Sequence, residues 1–198
     1  FGLDKAHKSS KEALYSAALF RKALGENEKA IGNYGKFLAE FSDDKRVPNI
    51  MIDIAQIFEG EKKWNEASTE YYKFFNTPPE GASLDQVFFA RLQYGLALEQ
   101  MGKQSKADKH WDDTLAAYAT AKEAGGEMKL SVEFIAQIMF KKAQPELTAY
   151  MAMTISGPDR KMSQSKTDKF LMDKLVGKAK ALQAVEGTFV EIVKTGAG

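Results

Sequence analysis

The residues able to do chemistry are few. The chain has two histidines and no cysteine, which removes disulfides, thiolate zinc sites and cysteine nucleophiles. His7 lies in the polar stretch AHKSS, which is expected to fray. His110 stands beside Trp111, among Asp108, Lys109 and Asp112, and reads as part of a solvated helix face. No histidine pair has the i, i+4 spacing that grips a metal. Asp43-Asp44 and Asp112-Asp113 are adjacent acids. Neighbours on a helix point about 100° apart, so neither pair converges on a metal or shares acid–base work. Asp43-Asp44 fits a turn better. No glycine-rich phosphate loop is present, and Gly157-Pro158-Asp159 is a turn signal. An α-helical enzyme is therefore the third-ranked function, and no cofactor or metal is expected.

Charge excludes two further classes. The formal net charge is +1, which gives no general avidity for nucleic acid or an anionic membrane. Lys45-Arg46 and Arg160-Lys161 are short basic pairs flanked by acids, as solvated loops are. The stretch 159–194 is modestly basic and leaves only a weak phosphate contact open. No apolar run approaches the roughly 20 residues of a membrane span. The chain opens on Phe1 rather than Met, so a trimmed or processed form is expected, and the lack of a leader says nothing about export.

The elements that must position any site are helices. Apolar residues recur at spacings of three and four almost throughout, and strand signals are nearly absent. Helices are expected at about 10–24 and from after Gly25 to about Phe41. Further ones follow from Pro48 to Gly60, over 65–75, 84–101 and 105–122. Gly25-Glu26-Asn27, Asn76-Thr77-Pro78-Pro79, Gly102 and Gly125-Gly126 punctuate them. Two of these segments echo each other: EKAIGNYGKFL and NEASTEYYKFF each place an aromatic four residues after an alanine, and Phe three later. SKADKHWDDTL repeats the alanine–aromatic step. The pairs are Ala30 and Tyr34, Ala67 and Tyr71, Ala107 and Trp111, with the alanines 37 and 40 residues apart. Twelve residues before each alanine stands another small residue, Ala18, Ala55 or Gly95. Two antiparallel helices cross closely only where side chains are small, and the aromatic one turn on fills the gap beyond. One such pair cannot bury its apolar face alone, so pairs stack.

Small and aromatic residues in this register resemble the tetratricopeptide repeat (TPR), over about Ser10 to Ala119. Tyr94-Gly95 with Gly102 and Ala107 matches best. The repeat exceeds the usual length of roughly 34 residues, and the proline that closes the repeat is clear only at Pro78-Pro79. The resemblance implies an all-α, right-handed solenoid of antiparallel helix pairs: three clear pairs at about 10–122 and a degenerate fourth to 156, within a repeat region 1–156. In the fourth, Val132, Ile135, Ala136 and Met139 would open one helix, and Leu147, Tyr150 and Met151 would line a second with Pro145 in its first turn. A linker and a long helix over Thr167–Val193 would occupy 157–198, with Leu171, Leu175, Lys178, Leu182, Val185, Phe189 and Ile192 near one stripe. That helix reads as a cap or a truncated next repeat.

A TPR array also implies a concave groove lined by the first helix of each pair. In this register it carries Tyr15, Leu19 and Lys22, then Ile52, Gln56 and Glu59, then Phe89, Leu92, Leu96 and Glu99. The clamp of Lys, Asn and Arg with which some TPR domains hold a C-terminal carboxylate is absent, since Tyr15, Leu19, Ile52, Gln56, Leu92 and Leu96 occupy its positions. Such an apolar strip is covered either by a partner or by the helix over 167–193. The expected function is a non-catalytic scaffold that binds a helical or extended protein segment in a larger assembly. The alternative is a structural spacer or oligomerisation module acting through the C-terminal helix. The helix pairs followed by KALQAVEGTFVEIVKTG more loosely resemble TPR proteins of bacterial envelope machinery, including those of gliding and predatory bacteria, which favours the periplasm or cell envelope over the cytoplasm.

Overall fold

The structure, a computed structural model, describes residues 8–158 and 161–195; His7 and Arg160 lie outside them. Among the described residues there is no strand. The order is α1 (Lys8–Ala23), α2 (Asn27–Glu40), α3 (Val47–Gly60), α4 (Trp64–Asn76), α5 (Leu84–Gln100), α6 (Gln104–Glu123), α7 (Ser131–Ala152) and α8 (Gln164–Lys194). The protein is all-α. It divides into two compact units, 1–131 and 132–198.

In the first unit α1 packs on α2, α3 on α4 and α5 on α6, each pair joined by a tight turn and therefore antiparallel. α2 also meets α3, and α4 packs on α5. The turns are one device used three times. Gly25 N–H bonds the Lys22 carbonyl and Glu26 N–H the Arg21 carbonyl. Lys62 and Lys63 repeat this onto Glu59 and Phe58, and Gly102 and Lys103 onto Glu99 and Leu98. This closure satisfies the last carbonyls of the helix and needs a left-handed residue just past its end. Gly25 and Gly102 supply it at φ 74° and 69°, and Lys62 takes it at φ 57°. The three positions are 37 and 40 residues apart, the same register as the alanines.

Packing follows that register. Ala18, Ala30 and Tyr34 are fully buried in one cluster with Phe37, Ile50 and Ile54. Ala55, Ala67, Tyr71 and Phe74 make the next, with Ala90 of α5. In the third pair Ala107 and Trp111 are buried. There the small partner is glycine because the ring is larger: a Cβ built on Gly95 would run into the six-membered ring of Trp111.

Polar ties join the elements between the pairs. Asp44, in the turn after α2, accepts two parallel bonds from Nε and Nη2 of the Arg46 guanidinium at 2.8 and 3.0 Å and pairs with the Lys11 ammonium at 2.9 Å. Hydrogen bonding from Arg46, which outweighs the cost of burial, holds its carboxyl well below the usual carboxylate range. Ser83 and Gln86 form a reciprocal cap at the start of α5. Asp85, in the first turn of α5, accepts the N–H groups of Lys129, Leu130 and Ser131 and the Ser131 hydroxyl, the last at 2.6 Å. Burial works against its ionisation, but these donors prevail and lower its pKa.

The second unit departs from the expected fourth pair. α7 is one continuous helix with Pro145 inside it, not two helices with Pro145 opening the second. Pro145 removes one backbone donor and crowds the preceding turn. No glycine or turn-forming residue stands near it in KKAQPELTAY, so the helix carries on. α8 runs antiparallel to α7: Ile192 and Phe189 pack with Ala136, Ala143 and Met139, and Lys178, midway along α8, bonds the Met153 carbonyl just past the end of α7 at 2.7 Å. Of the expected stripe on α8, Val185 and Ile192 are buried, while Leu175 is 50% and Leu182 37% exposed.

Lys62 is the one non-glycine residue with positive φ among the described residues. A left-handed non-glycine residue costs about 1–2 kcal/mol. Lys62→Gly recovers part of that against its own loss of chain entropy, so the melting temperature in a thermal scan should rise by about 2–4 °C. An unchanged or lower value would contradict the turn assignment.

Candidate functional site

The expected strip lies on α1, α3 and α5 of the first unit, and the structure assigns its members different work. Tyr15 is half-buried. Its ring lies 6.0 Å from that of Phe37, and the Arg46 guanidinium sits 4.8 Å above it. Leu19 is 39% exposed and Gln56 is exposed. Ile52, Phe89 and Leu96 are half-buried; Ile52 packs on the second cluster, and Phe89 lies edge-on to Tyr71 at 6.2 Å.

Leu92 is a correction. It is buried, with 2% exposure, and belongs to the core rather than to a strip open to a partner. α5 packs against both α4 and α6 and also touches α3. Burial therefore reaches round this helix, and its sequence LDQVFFARLQYGLALEQ, apolar on several sides, does not mark which face is open.

The charged members are engaged within the chain. The Tyr71 hydroxyl donates to Glu59 at 2.6 Å, and Trp111 Nε1–H donates to Glu99 at 3.2 Å. Each acceptor is twelve residues before its aromatic. In the first pair that position is Lys22, which cannot accept. Tyr34 instead donates to Asp53 of α3 at 3.0 Å, and Lys22 pairs with the same carboxylate at 2.6 Å. Burial first, and the neighbouring carboxylate second, hold both tyrosine hydroxyls well above their ordinary range, so each stays a donor. The acids of the strip thus anchor the polar tips of the core aromatics. Sequence reasoning treated Glu59 and Glu99 as free for a partner. The constant offset of twelve, already visible for the small residues, was the signal for this pairing.

His110 is also corrected. It is buried, with 8% exposure, not on a solvated face. Its Nε2 lies 2.8 Å from the Arg91 carbonyl. A carbonyl only accepts, so Nε2 carries the proton and donates. Burial lowers the pKa of the ring and keeps it neutral. The acids and lysine around it in sequence hid the stripe Ala107, His110, Trp111, Thr114 and Tyr118, all buried on one side of α6. Among the described residues no group of three or more His, Cys, Asp or Glu side chains could hold a metal ion, and no helix is long and apolar enough to cross a membrane.

Comparison with known proteins adds no relative: no family model matches the chain, and no curated protein and no solved structure does.

If Glu59 is bound to Tyr71, its loss leaves a buried hydroxyl without its acceptor. Glu59→Ala should cost about 2 kcal/mol in urea unfolding, while Gln56→Ala, one turn away and exposed, should change stability by less than about 0.5 kcal/mol. Equal effects would show that Glu59 has no structural role.

Proposed function

We propose that the first unit is a TPR-like right-handed solenoid that acts as a non-catalytic scaffold for a helical or extended protein segment. The observation that carries this reading is the triple use of one helix pair. The small crossing residues, the aromatics and the left-handed turn residue all keep the spacings 37 and 40. Equivalent pairs in one register present equivalent faces side by side, which is the surface repeat proteins use to bind extended partners.

The parts of the strip left for a partner are Leu19 and Gln56, with the half-buried Ile52, Phe89 and Leu96 between and beyond them. Glu59 and Glu99 fix their pairs from within, Lys22 ties the first pair to the second through Asp53, and all three contribute charge at the edge. Such a surface suits an apolar peptide with few charges. Specificity would come from Gln56, whose amide can bond a backbone or a side chain.

Panning a random peptide display library against the whole chain tests this. Selected peptides should lose affinity by about tenfold or more on the double change Leu19→Asp and Gln56→Arg, with the helical circular dichroism signal unchanged. Lys36→Ala, on an exposed part of α2, should leave binding intact. Peptides indifferent to the double change would overturn the groove. If they responded instead to Leu175→Glu, the reading would move to association through the open stripe of α8.

A further inference from the structure

A cleft of about 410 Å³ opens between α4, α5 and α6, away from the residues assigned to the strip. It falls in the size range of small-ligand sites. Its wall is aromatic. Tyr72 and Phe75 of α4 lie 5.3 Å apart, Tyr94 of α5 lies 5.7 and 5.4 Å from them, and His110 of α6 lies 4.7 Å from Tyr94 and 5.4 Å from Phe75. The four rings meet tilted or edge-on, at interplanar angles of 39–78°, and give the open cleft an aromatic wall against which a flat group can pack.

The same cleft collects positive charge. Arg91, Lys106 and Lys109 line it against one acid, Asp113, a local excess of cations in a chain whose whole net charge is +1. None of the three cations has an ion pair among the described residues. Arg91 is the telling one. Its guanidinium lies 4.8 Å above the Phe75 ring, and its Nε is buried with no hydrogen-bond partner. A buried, unsatisfied donor on a charged group is costly, and arginine cannot escape by losing its proton. The hydroxyls of Tyr72 and Tyr94 likewise have no protein acceptor among the described residues, so both are free to donate. His110 adds no charge, being neutral and tied to the Arg91 carbonyl through Nε2.

We propose that this cleft binds an aryl anion, a flat aromatic group bearing a phosphate or carboxylate. The ring would pack against the aromatic wall beside Tyr94, and the anion would face Arg91 with Lys106 and Lys109 at the rim. Arginine suits this role because its planar fork meets carboxylate and phosphate through two parallel bonds. The site is separate from the peptide strip and does not depend on it.

Phenyl phosphate is the probe. In a titration of the whole chain followed by NMR, it should shift the Tyr94 and His110 ring signals saturably. It should bind about tenfold or more tighter than inorganic phosphate or phenol alone, because only it uses both halves of the site. Arg91→Gln should weaken it about tenfold or more. Lys109→Gln, at the exposed rim and without consequence for the fold, should weaken it a few-fold (about one screened charge contact). Lys36→Gln, remote and exposed, should have no effect. Absence of a saturable shift would overturn the proposal. So would binding no tighter than inorganic phosphate, or binding unchanged in both the Arg91 and Lys109 variants.

Discussion

The first unit depends on the coupling between a small residue at a helix crossing and an aromatic side chain that packs there from the partner helix. Ala18, Ala55 and Gly95 let two backbones approach, and Tyr34, Tyr71 and Trp111 occupy the space that approach defines. The fit is steric in both directions. Where the ring is tyrosine the small residue can be alanine; where it is tryptophan only glycine leaves room. Protein interiors are packed densely enough that one methyl group decides such a contact.

Each aromatic also has a polar tip that burial would leave without water. Glu59 and Glu99 accept from Tyr71 and Trp111 within their own pairs, whereas Tyr34 reaches forward to Asp53 on the next pair. The first pair, whose equivalent position is Lys22, is thereby tied to the second by a hydrogen bond and an ion pair on one carboxylate. The substitution of a cation for an acid at one register position turns an internal contact into a link between neighbours. Asp44 and Asp85 provide further links, from α1 to the turn after α2 and from α5 to residues 129–131. The repeat is held by apolar burial, and its succession is specified by a few carboxylates.

How much of this could be read from the sequence follows from what one dimension records. Helix periodicity placed α1 to α6 and α8 to within a few residues, because breakers such as Gly25, Pro78-Pro79 and Gly102 stand between apolar runs. The spacing of Ala30, Ala67 and Ala107 located the crossings, and all three are fully buried. Failures came where the deciding neighbour belongs to another helix. His110 looks solvated beside Asp108 and Lys109, yet its ring points into the contact with α5. Leu92 looks open until α5 is seen to have helices on several sides. Pro145 read as a helix start because proline is common there, but nothing in its neighbourhood offered a turn. Arg91 and Tyr94 on α5, with Lys106, Lys109, His110 and Asp113 on α6, sit at spacings of three and four. Their shared faces were visible, but the cleft they line was not.

The most direct measurement of the central claim is a double-mutant cycle at the third crossing. Gly95→Ala alone should destabilise the chain by about 2 kcal/mol or more in urea unfolding, through the clash with Trp111. Trp111→Tyr alone should also cost stability, since it leaves a space beside Gly95. Combined, the two recreate the Ala55, Tyr71 and Glu59 arrangement with Glu99 as acceptor, and the pair should recover at least about 1 kcal/mol relative to the sum of the single changes. Additive losses would mean that the crossing residue and the aromatic are not coupled, and the account of one unit used three times would fail.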